Sequence, residues 1–236
     1  MANKKPLSLY SGIVQELTSG DNIDVNNGNI INLLDPTANG HAATKLYVDN
    51  RTNNDIRIHT ALGGVALAET IPLYLLGGNV GAQTDGRMYF VAVWLEKAAT
   101  LTGVKWYQNT QGAYTADNNN KIGLYTYSRG TMTLVASSTN DGNIWKAASN
   151  TWASKAFSAT YAAAAGLFFI GFLYNSSAQT TAPVLGGTNI NSAAATFDYT
   201  NSARISGYVN TQTDLPSSQA MSGLTINTMM PFFALY

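Results

Sequence analysis

Tyr161–Tyr174 reads Y-A-A-A-A-G-L-F-F-I-G-F-L-Y, and the assignment of these residues decides what the chain can be. The run is 14 residues long, against the roughly 20 that an apolar helix needs to cross a bilayer. Gly166 and Gly171 also interrupt it. Its alanines suit a small-residue turn or a short helical piece. Leu167–Tyr174 then has the composition of a strand buried on both faces, since an uninterrupted apolar run leaves no side for water. Membrane insertion is not expected.

Outward from this strand the pattern stays β. Runs at Ile71–Leu76, Met88–Leu95, Val104–Tyr107, Ile122–Tyr127, Thr131–Ser137, Thr151–Phe157, Ile205–Val209 and Met229–Tyr236 have strand character. Ile122-Gly-Leu124-Tyr-Thr-Tyr127 and Met132-Thr-Leu134-Val135 alternate as half-buried strands do. Ser128-Arg129-Gly130 joins two of these runs as a tight hairpin. Stretches rich in Asn, Asp, Gly and Ser (109–120, 139–143 and 175–201) are expected loops. About eight or nine short strands, with no helix-length periodic segment between them, predict a mainly β fold. Residues 65–236 are thus expected to form a jelly-roll-like β-sandwich, with Met229–Tyr236 as a buried final strand.

Upstream the period changes. Ala42 to Leu62 reads as a helix closed by Gly63-Gly64, a rod of roughly 32 Å at 1.5 Å per residue. Its best heptad phase, Val48, Thr52, Asp55, His59 and Leu62, is half polar. Such a helix is marginal alone. It fits either a short parallel bundle, whose polar core positions set register and oligomeric state, or a surface helix lying on the β domain. The stalk segment is accordingly 41–64. In residues 1–40, Leu7, Leu9, Ile13 and Leu17 are spaced apolar residues too few to fold alone. Asn26-Asn27-Gly28 between Ile23-Asp-Val25 and Asn29-Ile-Ile31 signals a hairpin, itself marginal in water. This arm is either disordered or packs on a partner or on copies of itself.

Composition narrows the function. Charged residues are 11% of the chain, and 13 basic residues cancel 13 acidic ones, so no footprint for nucleic acid or an anionic membrane is present. No cysteine occurs, which excludes disulfides, thiolate metal sites and thiol catalysis. Pro6–Leu17 carries no apolar core of a signal peptide. Both histidines, His41 and His59, precede the β region, so no imidazole-based triad can form within it. Its acids are Asp85, Glu96, Asp117, Asp141, Asp198 and Asp214, and four of them occupy turn contexts where Asp bonds its own backbone. A glycosidase-type carboxylate pair remains conceivable, but the chain is not expected to be an enzyme. Asp117-Asn-Asn-Asn120 could offer oxygens to Ca²⁺, though a solvated hairpin tip explains it as well. Gly77–Gly81 lacks the Lys-Ser/Thr of a phosphate loop. No metal and no cofactor is implied. Trp94, Trp106, Tyr125, Phe168, Phe169 and Phe172 read as core. Tyr114 and Trp145 fall in or beside polar loops. With Asp117 they are the candidate receptor contact, in which exposed rings stack on a sugar; alternatively both rings pack down onto the sandwich edge.

Asn32-Leu-Leu-Asp-Pro-Thr37, followed by Ala42-Ala-Thr-Lys45 and Tyr47-Val-Asp49, resembles a junction that recurs in bacteriophage fibre proteins, where an extended segment passes into a trimeric stalk helix. Pro6–Asp21 resembles the N-termini of phage structural proteins that dock onto the particle. His41 stands where that pattern usually has an Asp, a better helix cap than a neutral imidazole. The resemblance implies a homotrimeric virion fibre made in the bacterial cytoplasm. Leu7, Leu9, Ile13 and Leu17 would dock onto a capsid or tail/baseplate protein, residues 41–64 would form a coiled-coil stalk, and a β head would face outward. The short stalk favours a head fibre or a small tail or baseplate fibre. The head would adhere to a host-surface glycan or envelope protein. The alternatives are a capsid decoration protein without a receptor, or a polysaccharide depolymerase.

Overall fold

Alternating side chains of Gly166–Tyr174 enter two different hydrophobic cores, and the β region is layered around that strand. A computed structural model describes residues 7–10, 13–16, 66–190 and 204–236. The chain divides into two units, 1–52 and 53–236. In the first, β1 (Leu7–Tyr10) and β2 (Ile13–Glu16) form an antiparallel hairpin in which Leu9 pairs with Val14 and Tyr10 with Ile13. Leu7, Leu9 and Ile13 therefore lie on strands. Leu17, the expected hairpin at 23–31, His41 and the stalk positions Val48, Thr52, Asp55, His59 and Leu62 lie outside the described residues.

The described part of the second unit is mainly β. It begins with β3 (Ala68–Glu69), β4 (Gly78–Ala82), β5 (Arg87–Leu95), β6 (Ala99–Thr110), β7 (Ala113–Ala116) and β8 (Lys121–Ser128). It continues with β9 (Thr131–Ser137), β10 (Thr151–Ala163), β11 (Gly166–Tyr174), β12 (Ser176–Thr181) and β13 (Val184–Asn189). The last strands are β14 (Ser206–Val209), β15 (Ser218–Ala220), β16 (Thr225–Ile226), β17 (Met229–Pro231) and β18 (Phe233–Leu235). One seven-stranded sheet runs β17-β13-β6-β18-β3, with β10 also on β6 and β4 on β13. The other runs β15-β9-β8-β11-β5-β14-β16, and β12 pairs with β7 in a separate ribbon.

The two large sheets share one core. Tyr89, Val91, Val93 and Leu95 of β5 join Phe168, Ile170 and Phe172 of β11 and Ile122 and Leu124 of β8. Val104 and Trp106 of β6, with Phe233 and Leu235 of β18, enter the same cluster from the opposite sheet. Phe172 and Phe233 meet across the layers with ring centroids 5.0 Å apart. This is the layering of a β-sandwich. A second core explains why β11 has no polar face. Phe169 and Leu173 point the other way, joining Met88, Phe90, Tyr125 and Met132 beneath Met221 and Leu224. The Tyr125 hydroxyl anchors that cover by donating to the Pro216 carbonyl at 3.0 Å. Burial, with the Asp214 charge adding, pushes the hydroxyl well above the usual phenol range, so it remains a donor.

Several expectations are corrected. Ile71–Leu76 is no strand: Leu73–Leu75 forms a 3₁₀ turn after Pro72, whose fixed φ of −54° starts it. Tyr161–Ala163 continues β10, and no helical piece precedes β11. Met229–Tyr236 divides at Phe232, where the chain passes from pairing with β13 to pairing with β6 and β3. The stretches 109–120 and 175–201 contain β7, β12 and β13, and β4 (Gly78–Ala82) lies outside every expected strand. These strands are Gly-, Ser- and Thr-rich and carry no apolar alternation, so sequence period could not mark them. Trp94, expected in the core, is 54% exposed. It lies on the same face of β5 as Met88 and Phe90, beyond the reach of the Met221–Leu224 cover. At the hairpin after β8, Arg129 (φ 47°) and Gly130 (φ 84°) both take positive φ between the paired Ser128 and Thr131, as a two-residue turn matched to strand twist requires.

Candidate functional site

Residues 138–150, which link β9 to β10, are folded by their own polar groups. The Asn143 N–H donates to Asp141 Oδ1 at 2.9 Å. The Ile144 and Lys146 N–H groups donate to the Asp141 and Asn143 carbonyls. This tight turn drives Trp145 inward. Its ring is fully buried, 5.3 Å from Trp106 of one sheet and 6.0 Å from Phe172 of the other. Its indole N–H donates to the Leu173 carbonyl at 2.9 Å. Of the two readings of this ring, packing onto the sandwich is the one the structure shows, and the receptor-contact role for Trp145 is corrected: the ring closes the sandwich and offers no face to a ligand.

Tyr114 is placed by the β7–β12 ribbon, opposite Gln179. The ring is nearly buried, edge-on to Tyr174 with centroids 4.9 Å apart. The Lys146 ammonium lies over it, 4.6 Å from the ring centroid, within the range of a cation–π contact. Burial pushes the Tyr114 hydroxyl well above the usual phenol range, only partly offset by the Trp145 backbone. Tyr114 therefore stays in its neutral form at ordinary pH. Asp117 stands apart from both open clefts described below. It belongs to a turn locked by buried asparagines. The Asn120 amide donates to the Asn175 carbonyl at 2.9 Å, and the Asn175 N–H returns a bond to Asn120 Oδ1 at 2.9 Å. The Asn175 amide donates to the Asn119 carbonyl at 2.7 Å. Oxygens at 119 and 120 that a Ca²⁺ loop would use are thus taken by the protein itself. Among the described residues no group of three or more His, Asp or Glu side chains could hold a metal. No described helix is long and apolar enough to cross a membrane.

Two clefts open on either side of Lys146. The first, about 410 Å³, lies above the ribbon and is lined by Tyr114, Thr115, Lys146, Gln179 and Thr180 with two alanines. The second, about 430 Å³, has Trp106 and Ile144 at its apolar floor and Asp141, Asn143, Ser154 and Lys155 among its polar walls. Of the three residues picked from sequence, only Tyr114 lines a cleft. Asp141 is named from the sequence as a turn acid rather than as a receptor contact, and Lys146, Asn143, Ser154, Lys155 and Gln179 are not picked at all. The signal for Lys146 was its place directly after Trp145. Asn143 shares a local turn with Asp141, whereas Ser154, Lys155 and Gln179 depend on strand pairings that no local pattern announces.

Among the described residues the carboxylates are dispersed, and Asp198 lies outside those residues. Asp214 pairs with Lys121 at 2.8 Å, Asp85 accepts the Ser176 N–H at 2.7 Å, and Glu96 is exposed. Asp141, the one acid lining the two clefts, pairs with Lys155 at 2.6 Å. The hydrogen bond from Lys155 holds the Asp141 carboxyl below the usual carboxylate range. Desolvation opposes this, and the Asn143 N–H and the charges of Lys155 and Lys146 reinforce it. Because the folded value is depressed, the pair's stabilisation is complete above the unfolded carboxylate value of about 3.9. It is lost as pH falls through the folded value. Both side chains are still reached by water, at 33% and 23% exposure, so the amount is on the order of 0.5–1 kcal/mol. Urea melts at pH 7 and at pH 3 should therefore show a smaller acid loss for Asp141→Asn than for the unaltered protein. Equal losses would contradict the assignment.

No protein-family model matches the sequence, and no curated protein matches it.

Proposed function

We propose that the chain is a fibre protein of a bacteriophage particle. In this reading residues 1–40 dock onto a capsid or tail/baseplate protein, 41–64 form a trimeric coiled-coil stalk, and 65–236 form a jelly-roll-like head. The head adheres to a host-surface glycan. The resemblance of Asn32–Asp49 to a fibre junction supplies the frame. The observation that carries the binding role is the pair of shallow clefts meeting at Lys146, with Tyr114 beneath one and Trp106 beneath the other. Amide, hydroxyl and ammonium groups gathered in a shallow cleft suit the hydroxyl-rich edge of a sugar. Such a site is weak alone, but three copies on one stalk raise apparent affinity without new contacts. The single acid in the two clefts supports adhesion over hydrolysis, since glycoside cleavage uses two carboxylates roughly 5–10 Å apart.

A glycan array probed with the full chain tests this reading. Retention of one or a few related glycans, competed by the free sugar at millimolar concentration, is the expected result. Absence of binding to every glycan would favour a capsid decoration protein, and release of reducing ends from a bound polysaccharide would favour a depolymerase.

A further inference from the structure

The charge around the two clefts does not balance. Asp141 is the only carboxylate that lines them. It is committed to Lys155 at 2.6 Å and to the Asn143 N–H at 2.9 Å. Lys146 is the remaining cation. Its ammonium rests over the Tyr114 ring and has no carboxylate within ion-pair distance among the described residues. The linings of the two clefts thus hold two lysines against one carboxylate, and the first is lined by a cation and by no acid, although the Asp141 carboxylate lies close enough to feel the Lys146 charge.

The polar atoms beside Lys146 point to the same sign of ligand. Gln179 Oε1 accepts the Tyr174 hydroxyl at 2.6 Å, which leaves the Gln179 NH₂ as the group free to meet a ligand. The Thr180 hydroxyl is spent on the Ala113 carbonyl at 3.2 Å. The Thr115 side chain is exposed beside them. An ammonium and an amide NH₂ in one cleft without a carboxylate are complementary to an anion, and charge-assisted bonds of this kind are the stronger ones.

Resting on the adhesion reading above, we infer that the glycan this site takes is acidic, with a carboxylate or phosphate seated at Lys146 and Gln179 and neighbouring sugar units lying in the two clefts. A uronic acid repeat and a glycerol- or ribitol-phosphate repeat share this chemistry.

The full chain would be titrated with three oligosaccharide probes of matched length: a uronic acid oligomer, a polyol-phosphate oligomer, and a neutral glucan. The same titrations would be run on Lys146→Gln, Lys146→Arg and, as a control away from the clefts, Lys121→Gln. At least one anionic probe should bind about tenfold or more tightly than the neutral one, and raising the salt should narrow the gap. Lys146→Gln should abolish the preference, Lys146→Arg should retain it, and Lys121→Gln, which gives up only the ion pair with Asp214, should leave it unchanged, with all three variants folded by circular dichroism. Which anionic probe wins identifies the source of the charge. Equal binding of neutral and anionic probes, or a preference surviving in Lys146→Gln, would overturn the inference while leaving the adhesion reading intact. No binding of any probe, together with an empty glycan array, would remove both.

Discussion

Trp145→Ala should lower the stability of the β domain by about 3–5 kcal/mol, the range for truncating a large buried aromatic. The ring is fully buried, and it touches Trp106 on one sheet and Phe172 on the other. Its removal opens a cavity between the layers that a strand-based core cannot collapse to fill. It also takes the indole donor from the Leu173 carbonyl, and a buried acceptor left without a partner adds its own cost. The two contributions can be separated. Trp145→Phe keeps much of the volume but not the N–H, so it should lose less than half as much. Denaturant titration followed by tyrosine and tryptophan fluorescence measures both. A Trp145→Ala protein of unchanged stability but impaired glycan binding would restore the exposed ring expected from the loop context. Because β10 follows from this turn, the substitution should also loosen the floor of the second cleft.

Gly187→Ala is the second large effect, and it arises from too little space. A β-carbon at this position would collide with the Met230 carbonyl oxygen and lie 2.7 Å from both Pro231 Cα and Val80 Cγ1. Two of these neighbours are backbone atoms of β17, the strand to which Gly187 is paired opposite Pro231. A flexible side chain could swing aside, as Met88 could beside Gly171; a paired strand cannot. Relief requires β13 and β17 to separate, with loss of their ladder at the edge of the sheet. The expected cost is about 3 kcal/mol, the upper part of the range for overpacking. A thermal melt within a degree of the unaltered protein would show that the two strands lie further apart than described.

Much of the β architecture is legible in the residues, for a simple reason. The strands that build the shared core, β5, β6, β8, β11 and β18, are apolar enough on the buried side to be recognised without a structure. Thr131–Ser137 was bounded as it stands in the fold, because alternation and the Arg129-Gly130 turn fix both ends. Leu167–Tyr174 was readable as buried on both faces because the second core leaves it no polar positions. Edge and ribbon strands were not readable. Ser176–Thr181 is polar apart from Ala178 and is held by pairing with β7, a contact between residues about 65 positions apart that leaves no local trace. The same limit governs the site. Tyr114 was visible as a ring in a polar context. Lys146, Gln179 and the Asp141–Lys155 pair become neighbours only when the ribbon, the 138–150 turn and β10 are brought together. For Trp145 the sequence leaves an exposed and a packed-down ring both open, and the turn made by Asp141 and Asn143 decides between them by using its polar groups to bury the ring.

The proposed fibre depends most on three chains sharing one stalk. Static light scattering on the full-length chain, across a tenfold range of protein concentration, tests that directly. The account predicts a mass about three times 25.1 kDa that does not change on dilution; a uniform species of 25.1 kDa would contradict it, leaving a β-sandwich with a sugar-sized site and no fibre.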